Sequence, residues 1–397
     1  MIRPAAALVA AAALLAATGP TATGPMATGP ADAAAPEPEA SAVPLEADRR
    51  LGLPDDALAV DAAERLAAMS TEQKVRSLLL FHVPGTDPAA ITAAVDAQGL
   101  AGVMLMGDNM PEGGAEGLAA LTERIRPADG LPPIVAIDQE GGPVARLRPD
   151  PGRAPAELRG GAPEAVLASS TARAEALAAA GVDLNFGVVA DATGDEASFI
   201  RSRVLGDSGA QAAPLVAAAV EGEHGTVLST LKHFPGHGAV PGDSHVSVPS
   251  SSLDLDGWRA DAALPFAAGV DAGAEAVMTG HLRFPAVDAA PASLSPVWHD
   301  LLREELGFTG LIITDDLLML QASGEAEFAD PAENAVRALA AGAGLLLYAM
   351  PADPAAAGVD VEALVDAATE EVGGRIDPAA LDLAVLRVLL LRASLEG

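Results

Sequence analysis

The chain has 397 residues, half of them hydrophobic, with 40 Gly, 31 Pro and only 3% aromatics, enough for one large core or two modest ones. A formal net charge of -32 argues against nucleic acid and anionic membranes as partners and reads most simply as solubility, or as adaptation to a salty medium. No cysteine is present, so disulfides, thiolate metal sites, a Cys nucleophile and a lipid-anchoring cysteine are excluded. Only two of the 23 basic residues are lysines, Lys74 and Lys232.

Arg3 precedes an unbroken apolar run, Ala5 to Ala17, of the length of a signal-peptide core and too short to cross a bilayer. Three ATGP units and ADAAAPEPEASAVP follow, a composition that cannot bury a core. The expected layout is a signal and processing region over 1–33, with cleavage after Ala33 or nearer Ala17. A disordered linker over 34–50 and one catalytic domain over 51–397 follow, with export from the cell and no stable membrane insertion. The alternative is an Ala/Pro-rich tail on a cytoplasmic protein.

Beyond Leu51 short apolar runs alternate with longer Ala/Leu/Glu/Arg segments. The strand candidates are Ser77–Phe81, Gly102–Met106, Ile134–Ile137, Val182–Val188, Val227–Leu231, Ala276–Thr279, Leu311–Ile313 and Gly344–Tyr348. Helices are expected within Ala62–Leu79 and over Ala115–Ile125, Pro163–Ala180, Ala210–Glu223, Asp256–Ala272, Pro296–Leu306, Pro331–Ala341 and Val361–Val372. Eight strands separated by helices predict an α/β fold, a single (β/α)8 TIM-type barrel. An open doubly wound sheet is the alternative, but it would need a phosphate-binding glycine loop and no GxGxxG or GxxxxGK[ST] is present.

Polar residues punctuate the strand ends. Asp138 follows IVAI, Lys232 and His233 follow VLSTL, His281 follows AVMTG and Asp315 follows LIIT. In a barrel these converge on the C-terminal rim, where catalytic loops sit. The densest motif, KHFPGHGAVPGDSH, holds Lys232, Asp243 and three of the seven histidines. A metal site on His233 and His237 is one reading, but Pro235, Gly236 and Gly238 argue against a shared helical face. A purely structural glycine-rich loop is another. In TDDL, adjacent carboxylates of an extended segment point apart, so Asp315 is expected at the mouth and Asp316 at the start of the next helix. In IDQEGGPVARLR two glycines let the loop approach a ligand closely.

Together AIDQEGG, LKHFPGHGAVPGDSH, VMTGHLRFPAVDAAPASLSP and LREELGFTGLIITDDL resemble glycoside hydrolase family 3, in its β-N-acetylglucosaminidase branch. The likeness runs from about Leu51 to Leu395. It implies a barrel without the second domain of larger members, working without metal or cofactor, as a monomer on N-acetylglucosamine-terminated oligosaccharides from peptidoglycan or chitin. It also implies Asp315 as nucleophile, His245 as acid/base with Asp243 as its partner, and sugar contacts from Asp138, Arg146, Lys232, His233 and Arg203. The chemistry agrees: retaining hydrolysis needs an attacking carboxylate and a group that is acid, then base. A histidine beside a carboxylate, titrating near neutrality, suits both steps.

Two departures fall near the expected sugar site. Pro143 stands where the family usually has arginine, and Arg203-Val204-Leu205 replaces the usual RSF. The readings that compete are a β-glucosidase or a phosphorylase of the same family, and an inactive secreted sugar-binding protein.

Overall fold

The computed structural model describes residues 56–127 and 130–395. The expected signal region and linker, 1–50, lie outside the described residues. Eight parallel strands follow in chain order: β1 (Leu79–His82), β2 (Gly102–Leu105), β3 (Ile134–Ile137), β4 (Leu184–Val189), β5 (Leu228–Phe234), β6 (Ala276–Thr279), β7 (Leu311–Thr314) and β8 (Leu346–Tyr348). Seven ladders link them in the order β7-β6-β5-β4-β3-β2-β1-β8. An isolated bridge, Ile313↔Leu345, brings the ends together. Leu345 N donates to Ile312 O at 3.0 Å and Thr314 N to Leu345 O at 3.0 Å, so the barrel is nearly closed. The expected (β/α)8 architecture is the one observed. Strands covered on one face by helices and filled on the other by side chains carry continuous apolar runs, which is why these eight stand out in the sequence.

The helices differ in detail. The expected segment 62–79 holds two, Asp56–Ala68 and Thr71–Arg76, separated where Ser70 caps the second. Ser70 Oγ accepts from Gln73 N at 3.2 Å and Gln73 Oε1 accepts from Ser70 N at 2.8 Å, a reciprocal cap that fixes a start rather than a continuation. Asp256–Ala272 likewise divides into Leu255–Ala260 and Ala263–Asp271. Among the described residues, two helices of ten or more residues were not expected, besides the short Pro155–Leu158. Pro88–Gln98 lies between β1 and β2, begun by Asp87 and ended by Gly99 at φ 65°. Pro378–Ser394 closes the domain, and its Arg392 donates to the carbonyls of Leu131 and Pro132 ahead of β3.

The scarce aromatics are concentrated behind β5. Phe234 meets Trp258, Phe266 and Trp298 edge-on, with ring centroids 6.0, 5.3 and 5.9 Å away. Trp258 Nε1 donates to Pro235 O at 2.9 Å, so the cluster also holds the backbone of the KHFPG segment. Both tryptophans and Phe266 therefore brace the strand that carries Lys232 and His233.

Candidate active site

β5 continues to Phe234 instead of ending at Leu231, so Lys232 and His233 belong to the strand. Its register against β6 shifts between Leu231 and Phe234. Such an irregularity re-aims side chains that simple alternation would send to opposite faces, and both Lys232 and His233 line a pocket of about 220 Å³ at the C-terminal mouth of the barrel. Asp138, Arg146, Arg203, His245 and Asp315 line it too. Asp243, the remaining expected site residue, reaches it through His245.

One wall is a charge network. Lys232 Nζ lies 2.7 Å from Asp138 Oδ1 and 2.6 Å from Glu140 Oε1. Arg203 grips Glu140 with two hydrogen bonds, 2.8 and 2.7 Å, and Arg146 reaches Asp138 at 3.2 Å. Burial acts to raise both carboxyls, but Lys232 and the arginines outweigh it and hold them below their usual range. Burial likewise acts to lower Lys232, and Asp138 and Glu140 reverse it. These groups stay charged because they are paired within one network. Gln139 shapes the hairpin that carries Arg146: its Oε1 accepts from Arg146 N and Leu147 N, each at 2.9 Å. Gly141, at φ 94°, has no room for a Cβ, which would stand 2.4 Å from Arg173 Nη2.

Asp191, just beyond β4, organises the histidines. Its buried carboxylate accepts from His233 Nδ1 at 2.7 Å, from His233 N and from His237 N. Burial raises it to about 6 despite these donors. With Nδ1–H given to Asp191, His233 Nε2 is an acceptor, 3.3 Å from Arg203 Nη2. Burial, then Arg203, depresses the His233 imidazolium. His237 faces Ser244 Oγ at 3.0 Å. Both His233 ring nitrogens are engaged, and among the described residues no three His, Cys, Asp or Glu side chains are grouped to hold a metal.

Asp315 ends β7. Its Oδ1 accepts the Asp316 amide at 2.8 Å, and the His233 and His281 rings, that amide and Lys232 outweigh burial to keep the carboxyl below its usual value. Asp316 also borders the pocket, against the expectation that only Asp315 would, but its Oδ1 is taken by Leu318 N at 3.1 Å and Ala349 N at 3.0 Å. Besides opening the next helix it ties the loops after β7 and β8 together. His281 is fully buried, set between Ser293 Oγ (2.7 Å) and Asp316 O (2.9 Å).

His245, on the same pocket as Asp315, forms an exposed pair with Asp243. His245 Nδ1 meets Asp243 Oδ1 at 2.6 Å, and the same oxygen accepts His245 N at 3.0 Å. The segment is a tight turn rather than the extended loop the spacing suggested, because Asp243 caps it locally. The side chains are 60% and 41% exposed, in contrast to the buried Asp138, Glu140 and Lys232 across the pocket. Phe199 flanks His245, ring centroids 6.0 Å apart.

Glu140, Gln139 and Asp191 are the site residues that the sequence reading does not single out. Glu140 lies within a recognised motif. Asp191 follows β4 as Asp138 follows β3, but the fourth apolar run, taken to end at Val188, stops one residue short of the strand's true end. Of the two departures, Pro143 is exposed at the hairpin tip, while Val204 and Leu205 are buried. None of the three lines the pocket.

Comparison with known proteins agrees with this architecture. The glycosyl hydrolase family 3 N terminal domain matches residues 70–391. A β-hexosaminidase of Xanthomonas oryzae pv. oryzae is 38% identical over 265 residues, 63% of this chain and 78% of that protein. Among solved structures, a family 3 β-N-acetylglucosaminidase from Paenibacillus sp. str. FPU-7 superposes with TM-score 0.73 at 30% identity. The match takes in 83% of this chain but only 64% of that one. A β-N-acetylhexosaminidase from Beutenbergia cavernae gives 0.69 at 29%, over 82% and 99%. The chain therefore belongs to glycosyl hydrolase family 3.

Proposed function

We propose that the protein is an exo-acting, retaining β-N-acetylhexosaminidase that releases terminal N-acetylglucosamine from chitin oligomers or peptidoglycan fragments. The observation that carries this reading is that Asp315 and His245 line one pocket from two different loops, with Asp243 bonded to His245 from behind. Asp315 attacks the anomeric carbon while His245 donates its proton to the departing glycosidic oxygen, and the C–O bond breaks to leave a glycosyl ester on Asp315. His245 then takes a proton from water, the water oxygen attacks the same carbon, and the ester bond breaks to free Asp315. Asp243 holds the imidazole and offsets its charge. Asp138, Arg146, Lys232 and His233 present acceptors and donors suited to sugar hydroxyls, with Arg203 set behind them by Glu140. The two sequence departures miss the pocket lining, which favours an active enzyme over a decayed sugar-binding barrel. Export by the N-terminal segment and a monomeric state belong to the same proposal.

The test is hydrolysis of 4-nitrophenyl N-acetyl-β-glucosaminide against the matching β-glucoside, with wild type, Asp315→Ala and His245→Ala. Preference for the N-acetyl sugar is expected, with turnover abolished in Asp315→Ala and lowered in His245→Ala. Preference for the plain glucoside would move the enzyme to another branch, and sugar phosphate as the product would make it a phosphorylase.

A further inference from the structure

The acid side chain of a glycosidase divides its site, because the sugar that is attacked lies on one side and the oxygen it protonates leads to the other. Here His245 lines the pocket that holds Asp315, whereas its partner Asp243 lines a separate groove. Phe199 borders both. The groove, about 510 Å³, is walled by the loop after β4, with Thr193, Asp195 and Ser198, and by the 238–243 turn. That turn is pressed onto the β4 loop: a Cβ on Gly238 would stand 2.0 Å from Ala192 O.

The charge of this groove is one-sided. No lysine or arginine lines it, and its ionisable groups are Asp195 and Asp243. Arg201, on the same loop, is committed to Glu196, to Asp207 at 2.6 Å and to the Thr193 carbonyl at 2.7 Å. In the pocket itself Arg203 and Lys232 are committed to Glu140 and Asp138, and Arg146 contacts Asp138 through Nη2. When His245 is protonated it matches Asp243, which leaves Asp195 uncompensated. A carboxylate on the departing sugar would meet no cationic receptor, one fixed like charge and the field of a chain carrying -32. An uncharged amino sugar would find the Phe199 ring for its apolar face and the Thr193 and Ser198 hydroxyls for its polar edge.

We infer that this groove is the leaving-group site and that it selects uncharged chito-oligosaccharide leaving groups against anionic, muramic-acid-type ones. The inference rests on the hydrolase reading above and narrows its substrate class.

The experiment compares kcat/KM for N,N′-diacetylchitobiose and for N-acetylglucosaminyl-β-1,4-N-acetylmuramic acid, with the aryl N-acetylglucosaminide as a reference. Both disaccharides are run at low salt and at 0.5 M salt, with wild type, Asp195→Lys and Asp195→Asn. The Asp195→Asn variant retains a side-chain oxygen for the Ala197 amide, which Asp195 Oδ1 accepts at 2.9 Å, so loss of charge is separated from loss of the turn. The neutral disaccharide should be favoured by about tenfold at low salt, the order expected of like charges across a partly screened groove. That ratio should shrink in salt, shrink in the Asp195→Asn variant and shrink further in the Asp195→Lys variant. Equal or better cleavage of the muramic disaccharide by wild type, or a ratio that neither salt nor Asp195→Lys moves, would overturn the inference while the aryl glycoside is still cleaved. An inert aryl glycoside would instead bring down the hydrolase reading, and this inference with it.

Discussion

At the scale of single residues one wall of the site is held by charged groups that are paired with one another. Lys232 and Asp138 hold each other ionised, and Glu140 locks both Lys232 and Arg203. Removing Glu140 would leave two buried cations short of a partner. Glu140→Gln is therefore expected to raise KM for the aryl N-acetylglucosaminide about tenfold or more and to cost about 3 kcal/mol of stability, measured by steady-state kinetics and urea unfolding. His245→Ala should lower kcat on chitobiose by about 10² to 10⁴, the usual worth of general acid–base catalysis. The loss should be smaller on the nitrophenyl glycoside, whose leaving group departs without a proton. Equal losses on both substrates would count against His245 as the acid.

Asp191 shows why part of the site escapes notice in the sequence. A lone Asp two residues past a strand carries no motif, and its value comes from three donors that β5 and its loop bring to it. Glu140, by contrast, is in plain view between Asp138 and the two glycines. Alternation places it on the same side as Asp138, yet nothing local says that Lys232 and Arg203, each more than 60 residues away, will close on it.

At the scale of elements, the aromatic brace behind β5 is the feature that fixes the strand carrying Lys232 and His233. Trp258 is fully buried, bonded to Pro235 O and stacked edge-on to Trp298 at 5.2 Å. Trp258→Ala is expected to destabilise the barrel by about 3–5 kcal/mol, read from chemical denaturation. At a temperature where the variant is still folded, its kcat should also fall, since the KHFPG backbone loses its anchor. The helix Gly209–Glu223 offers a second test. Its Glu223 is buried, with Oε1 taking Asn185 Nδ2 at 2.7 Å and Oε2 without a partner, and burial raises it to about 8. A carboxyl with a raised native pKa binds more protons folded than unfolded, so stability falls as pH rises from the unfolded value towards 8. Buried histidines with depressed pKa, His299 at about 3 among them, act in the opposite sense, but only below about 6.5. Between pH 6.5 and 8, then, Glu223→Gln should flatten the decline, by up to about 2 kcal/mol at pH 8. Parallel pH–stability curves of wild type and variant would refute this.

At the scale of the whole molecule the dominant quantity is the charge of -32. Self-repulsion on that scale weakens a compact state and is screened by salt. The melting temperature should therefore climb between 10 mM and 1 M NaCl. A flat response would show that local pairs such as Arg375–Glu333 and Arg259–Glu305 already neutralise the field that matters.

The eight strands, their order along the chain and the rim that carries the chemistry were set by local sequence. A strand covered on both faces must be apolar throughout, and a polar residue at its end must lie where the strand leaves the barrel. Asp315, Lys232, His233 and Asp138 were legible for that reason, and the Asp243–His245 pair because its hydrogen bond closes within a single turn. Tertiary structure alone decided that Asp191 and Glu140 anchor the site, that the rings gather behind β5, and that the helix Pro378–Ser394 seals the domain against the start of β3. Those outcomes depend on partners far apart in sequence, joined only when the barrel closes, and no window of the chain contains both halves of such a contact.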